Sequence, residues 1–148
     1  MDKLVNMLKQ RQSTDQVSML DVGCGTGYST LLYAELASQI LKEPFEILGT
    51  DINEAFIETC LLMKAKYPID LCNLHFMEHD FLKEPIGPNA QLWSNTFDIC
   101  TFGFEVSMDL LRKKQIHFKP DAHLIVPLSR EDFDREQDFK VLQYKGDD

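Results

Sequence analysis

The chain has 148 residues, 44% of them hydrophobic, and a net charge of −9, which suits one domain over residues 1–148 with a single core. The acidic balance works against gripping a phosphate backbone, which needs clustered Lys and Arg, so nucleic acid is not an expected partner. No apolar run approaches the ~20 residues that cross a bilayer, and no charged segment followed by an apolar stretch opens the chain; the expectation is a soluble, cytoplasmic protein without a membrane partner.

In chain order, residues 2–12 read as a helix, with Leu4, Val5 and Leu8 at helical spacing, packing on a sheet edge. Val17 to Val22 is a first strand, apolar enough to be buried on both faces. The helix Tyr28 to Leu41 carries Leu31, Leu32, Ala34, Leu36 and Ile40, and Pro44 follows its end. Phe45 to Gly49 is a second strand ending at Thr50-Asp51. The next helix, capped by Asn53 or Thr50, runs to about Tyr67 with Ala55, Phe56, Cys60, Leu61 and Met63 inward, and Pro68 stops it. Leu71 to Met77 is a third strand, and residues 83–95, with Pro85, Gly87, Pro88 and Asn89, read as loop. Thr96 to Phe102 is a fourth strand, Val106 to His117 a helix, Ala122 to Leu128 a fifth strand and Phe139 to Tyr144 a sixth. The acidic stretch 130–138 between the last two reads as an exposed loop, and Arg112-Lys113-Lys114 as a solvated helix face. Strands alternating with helices predict an α/β fold, a Rossmann-like doubly wound, mostly parallel sheet that binds its ligand at the carboxyl ends of the strands.

The four cysteines (24, 60, 72 and 100) form no C-x-x-C pair, and the four histidines lack a zinc spacing on one helical face, because Asp80 ends the strand that carries His75. Buried free thiols and no metal are expected.

Asp21-Val22-Gly23-Cys24-Gly25-Thr26-Gly27 carries the chemistry. Three alternate glycines between a strand and a helix allow a tight turn and let a ligand lie against the main chain, with free helix N–H groups pointing at it. A dinucleotide fingerprint would need a further glycine where Tyr28 stands, which disfavours a nicotinamide enzyme, and a P-loop would need a Lys followed by Ser or Thr. The pattern D-x-G-x-G-x-G resembles the first motif of the Rossmann-like methyltransferases that use S-adenosyl-L-methionine.

That resemblance implies a role for each strand end. Asp21 and the backbone of Gly23, Cys24, Gly25 and Gly27 would receive the methionine moiety, Asp21 being equally suited to stabilise the loop. Asp51, 24 residues after Gly27, would accept hydrogen bonds from the ribose hydroxyls, with helix capping as the alternative, and Ile52 would wall the adenine. Asp80 would receive the adenine amino group and Phe81 would pack near the base, or the two form an ordinary turn and core. Phe102-Gly103-Phe104-Glu105 would lie beside the reactive methyl, Gly103 allowing close approach.

The strings Thr96 to Gly103, Leu110 to Lys119 and Lys119 to Leu128 are similar to the protein-L-isoaspartate (D-aspartate) O-methyltransferase family, whose fourth strand opens with an aromatic-Asp pair and whose later strand follows a Lys-Pro-Gly-Gly turn. The resemblance covers residues 17–128; here Asp121-Ala122 replace the two glycines. It implies methyl transfer to the α-carboxylate of isoaspartyl residues in damaged proteins, a repair reaction. The family's Ser/Thr-x-x-x-Pro-His type stretch before the first motif has no counterpart, since no Pro or His precedes the first strand. No substrate-orienting or catalytic residue is therefore carried over, although Glu105 is near in sequence. The chain reads as a shortened member, with the antiparallel edge strand of the full fold expected to be missing. The alternative is a non-catalytic cofactor-binding or protein-interaction module on the same fold.

Overall fold

The computed structural model describes residues 2–11, 16–81, 97–104, 118–126 and 140–143. Within them lie helices α1 (Asp2–Gln10), α2 (Tyr28–Ile40) and α3 (Glu54–Lys66), and strands β1 (Ser18–Val22), β2 (Phe45–Asp51), β3 (Cys72–Glu78), β4 (Phe97–Phe102), β5 (Phe118–Val126) and β6 (Lys140–Gln143). The helix expected at 106–117 and the loops at 83–95 and 130–138 lie outside the described residues. No described helix is long and apolar enough to cross a membrane.

One sheet joins the strands in the order β3-β2-β1-β4-β5-β6. The first five are parallel, the architecture expected of a doubly wound sheet. β6 runs antiparallel to β5, pairing Val126 with Lys140 and His123 with Gln143. The sheet thus has an antiparallel edge, which corrects the expectation that it is missing. The chain builds outward from β1 to β3 and then returns to place β4 on the other side of β1, so the switch in strand order falls between β1 and β4.

β1 and β4 are buried along their whole length, as central parallel strands must be. Their alternating side chains feed two cores. Met19, Ile47 and Ile99 pack with α1, α2 and α3 on one face, while Leu20, Leu48 and Cys100 face the other with Phe81, Phe97 and Phe102. α2 approaches the sheet through the small residues Thr30, Ala34 and Ala37, leaving Leu32 on the exposed side. α3 begins where Asn53 accepts hydrogen bonds from the Ala55 and Phe56 backbone N–H groups, which selects Asn53 over Thr50 as its cap.

Three local expectations are corrected. α3 buries Ile57 and Cys60, whereas Phe56 and Leu61 are exposed and Ala55 lies on the outer side; apolar residues surround this helix, so their spacing does not select a face. β5 starts at Phe118, before the expected Ala122. Between the pairs Phe97–Phe118 and Ile99–His123, β4 advances by two residues and β5 by five. Lys119-Pro120-Asp121-Ala122 therefore forms an irregular bulge inside the strand, where a proline without an N–H is tolerated.

Finally, α1 lies on a face of the sheet and not at an edge. Arg11, just after it, reaches the interior strands: Nη1 donates to Asp98 Oδ1 at 2.9 Å, and Nη2 lies 3.1 Å from His123 Nδ1. The other Asp98 oxygen accepts from the Ser18 backbone N–H at 2.9 Å. The aromatic-Asp pair that opens β4 is thus an anchor joining α1, β1 and β4. Asp98→Ala strands a largely buried guanidinium and a buried N–H, and is expected to lower stability by about 3 kcal/mol in urea unfolding; a loss under about 1 kcal/mol would contradict this role.

Candidate functional site

The glycine run becomes a loop stapled across the end of β2. Gly23 and Cys24 both donate their backbone N–H groups to the Thr50 carbonyl, at 2.8 and 2.9 Å, and Gly25 donates to Asp51 Oδ2 at 2.9 Å. All three loop glycines have positive φ. Gly27, at φ 92°, caps α2 in the left-handed region, and a Cβ there would come within 3.1 Å of Cys60 Sγ, so a side chain is excluded by both conformation and space. Above Gly25 nothing lies within 4 Å of where a Cβ would stand. That is the open surface a ligand can lie against.

Asp21 sits behind this loop, buried. Its Oδ2 accepts from Thr30 Oγ1 at 2.6 Å and Ser29 Oγ at 3.3 Å, and its Oδ1 from Thr101 Oγ1 at 2.8 Å. The carboxylate thereby ties β1 to the first turn of α2 and to its register partner on β4. Burial pushes its pKa above the ordinary 3.8, against the three hydroxyl hydrogen bonds that lower it. This geometry is that of the loop-stabilising alternative.

Asp51, at the end of β2, has each carboxylate oxygen oriented by one backbone donor: Oδ2 by Gly25 N and Oδ1 by Asn53 N, both at 2.9 Å. A carboxylate has about four acceptor positions, so this arrangement aims the group while leaving capacity for further donors. The Asp51 carbonyl accepts from His79 N at 2.9 Å, drawing the β3 loop toward the same place.

Around these strand ends lies a cavity of about 200 Å³ lined by Val22, Gly23, Asp51, Ile52, His79, Asp80, Phe81 and Phe104. Gly23, Asp51, Ile52, Asp80 and Phe81, all singled out in the sequence, are brought together here. Gly103 donates its N–H to the Val22 carbonyl at 2.7 Å; a Cβ on it would run into the Gly23 carbonyl. The Phe104 ring lies against Gly23, 2.8 Å from the position of a Cβ on that residue. Phe81, Phe102 and Phe104 form a row of edge-on contacts, with centroids 5.6 and 6.4 Å apart.

The Cys24 side chain does not face this cavity. Its Sγ lies 4.0 Å from Cys60 Sγ in the core under the loop, and Cys60 Sγ donates to the Gly25 carbonyl at 3.2 Å. Burial pushes both thiols up, away from the reactive thiolate. Among the described residues, no three His, Cys, Asp or Glu side chains group to hold a metal.

Two kinds of residue were not signalled by the sequence. The hydroxyls of Ser29, Thr30 and Thr101 meet Asp21 only once β4 is known to neighbour β1, and His79 carried no motif. A larger trough of about 720 Å³ runs between α2 and α3, lined by Tyr28, Leu31, Leu32, Met63, Tyr67 and Ile69 among others. It shares no lining residue with the smaller cavity and includes neither Asp51 nor the backbone donors Gly23, Cys24 and Gly25, so the smaller cavity is the candidate site.

A family profile described as a methyltransferase domain matches residues 13–134. The chain belongs to this methyltransferase domain family. A comparison with curated protein sequences finds no match. Among solved structures, the chain is similar to the YcgJ protein of Bacillus subtilis (17% identity, TM-score 0.58, 85% of this chain and 50% of that one). It is similar as well to an S-adenosylmethionine-dependent methyltransferase of Aquifex aeolicus (19%, 0.58, 82% and 62%). A third likeness is to a Plasmodium falciparum protein assigned as a protein-L-isoaspartate O-methyltransferase, in complex with S-adenosyl-L-homocysteine (17%, 0.64, 97% and 66%). At these identities the likeness bears on the fold, the Rossmann-like class I methyltransferase sheet. The chain spans half to about two thirds of these structures' lengths.

The raised pKa of Asp21 gives a pH signature for this methyltransferase domain. The folded state holds the Asp21 proton more tightly than the unfolded state, so its contribution to stability falls as pH rises from about 3.8 through the raised folded value. Asp21→Asn removes that dependence. Urea unfolding across pH 4 to 7 is expected to show the Asn variant gaining on the parent as pH rises, and a gap that widens in the parent's favour would contradict the burial assignment.

Proposed function

We propose that the chain binds S-adenosyl-L-methionine across the ends of β1, β2 and β3 and transfers its methyl group to a carboxylate, that of an L-isoaspartyl residue in a damaged protein or peptide. The observation that carries the cofactor reading is the Asp51 carboxylate, held by two backbone N–H groups at the edge of the cavity and able to accept both ribose hydroxyls. The cofactor is S-adenosylmethionine. The residues present fit it: a cavity of about 200 Å³ is smaller than the ~300 Å³ of a whole small-molecule pocket and suits the nucleoside, and the open surface over Gly25 suits the amino acid end. Ile52, 64% exposed at the rim, offers the base an apolar wall.

When bound, the cofactor supplies a methyl group on a positively charged sulfur. A carboxylate acceptor is already nucleophilic, so the protein needs no general base; it must orient and desolvate. Asp51 and the glycine loop fix the position of the nucleoside. Transfer to a carboxylate cancels one positive and one negative charge, and the apolar row Phe81, Phe102 and Phe104 favours such a loss of charge by keeping water away. The isoaspartyl assignment draws support from the Phe97-Asp98 opening of β4, from Lys119-Pro120 before the apolar run of β5, and from the likeness to the Plasmodium protein along 97% of this chain.

One observation favours a second reading, a cofactor-binding or interaction module without catalysis. The Phe104 ring against Gly23 narrows the side of the loop where an acceptor would approach. Incubation with methyl-labelled cofactor and an isoaspartyl peptide separates the two: ester formation on that peptide and none on its aspartyl isomer supports the enzyme, and cofactor binding without transfer supports the module. Asp51→Ala is expected to weaken S-adenosylhomocysteine binding by about 1.5–3 kcal/mol in calorimetry, since charge-assisted hydrogen bonds are lost. An unchanged affinity would contradict the ribose role.

A further inference from the structure

The Phe104 ring occupies a position that excluding water alone does not explain. It lies just past the end of β4 and lines the cavity together with Val22 and Gly23. The side chain is partly buried, and the ring stands 2.8 Å from where a Cβ on Gly23 would be, so the glycine makes room for the ring as well as for the turn. Phe102 meets it edge-on, with the planes at 79° and the centroids 6.4 Å apart.

The charged groups of the cavity stand elsewhere. Among the described residues that line it, the carboxylates are those of Asp51 and Asp80, at the ends of β2 and β3. Asp21, on β1, is buried, accepts from three hydroxyls and does not line the cavity. The side toward β1 and β4 is walled by Val22, Gly23 and Phe104. With the ribose on Asp51 and the amino acid end over the glycine loop, the sulfur that joins them meets this side. We infer that the Phe104 ring recognises the positive charge of the sulfonium through a cation–π contact, which makes it a specificity-determining residue favouring the methylated cofactor over its neutral thioether product; this rests on the cofactor reading above. An aromatic ring carries negative charge on its face and attracts a cation within about 6 Å of its centroid, more strongly where water is excluded. A leucine there would keep the wall apolar without that attraction. Once the methyl has left, the sulfur is neutral and the attraction is gone, so the ring holds the substrate form of the cofactor more firmly than the product form.

Calorimetry with three ligands tests this on the parent, Phe104→Leu and Phe104→Tyr. The ligands are S-adenosylmethionine, S-adenosylhomocysteine and the neutral isostere in which a methyl-bearing carbon replaces the sulfonium sulfur. The parent is expected to bind S-adenosylmethionine about tenfold more tightly than the isostere, the worth of a desolvated cation–π contact. Phe104→Leu should lose about tenfold for S-adenosylmethionine and less than about twofold for each neutral ligand. Phe104→Tyr keeps an aromatic face and should keep the parent's preference for the charged ligand. Phe104→Met, also apolar and without a ring, repeats the measurement where Phe104→Leu fails to fold.

The inference is overturned if the parent binds the isostere as tightly as S-adenosylmethionine, a result that needs no variant. It is overturned too if the ringless variant keeps the parent's affinity for S-adenosylmethionine, or loses the same factor for all three ligands, since the ring then acts by its shape alone. Failure of the parent to bind both S-adenosylmethionine and S-adenosylhomocysteine is a separate result, and it removes the cofactor reading along with this one.

Discussion

The clasp between the Asp51 carboxylate and the Gly25 backbone N–H is the contact on which the rest of the site depends. It holds a loop of left-handed glycines across the end of the neighbouring strand, and it does so with the same carboxylate proposed above to receive the ribose. Gly23 and Cys24 add two hydrogen bonds to the Thr50 carbonyl, so the loop approaches β2 with its main chain and leaves its outer surface clear. A loop fixed in this way pays its ordering entropy on folding instead of on binding.

Behind the clasp, burial and charge are in tension. Asp21 is a carboxyl group out of water, and three hydroxyls from α2 and β4 converge on it. Its position explains why the motif begins with a carboxylate: the group aligns the first turn of α2 with the two central strands, so that the helix's free N–H groups meet whatever lies over Gly25. Arg11 and Asp98 play a similar part at the opposite ends of those strands, pinning α1 and the start of β1. The central strands are thus held by buried polar contacts at both ends and by apolar packing between.

Much of this was legible in the residues. The glycine spacing located the loop at the cavity, the alternation of strands and helices gave the parallel sheet, and Asp51, Ile52, Asp80 and Phe81 met at one cavity because each lies at or just past the end of a parallel strand. What stayed hidden depended on which elements become neighbours. The partners of Asp21 required the β1–β4 pairing, a long-range event that local pattern does not encode. α3 is apolar around its circumference, so only packing could choose Ile57 and Cys60 as its inner side. β5 begins early because an irregular register with β4 absorbs Pro120, a residue that reads as a turn when seen alone. His79 was invisible because its distinguishing property, ring nitrogens without a hydrogen-bond partner among the described residues, depends on packing and not on local pattern.

The central claim is that a sulfonium nucleoside lies across the ends of β1, β2 and β3 with its sugar on Asp51. A crystal structure of the protein with S-adenosylhomocysteine bound tests it most directly. The account expects both ribose hydroxyls within hydrogen-bonding distance of the Asp51 carboxylate and the base against Ile52 and Phe81. A nucleoside seated in the trough between α2 and α3, or oriented with its sugar away from Asp51, would contradict it.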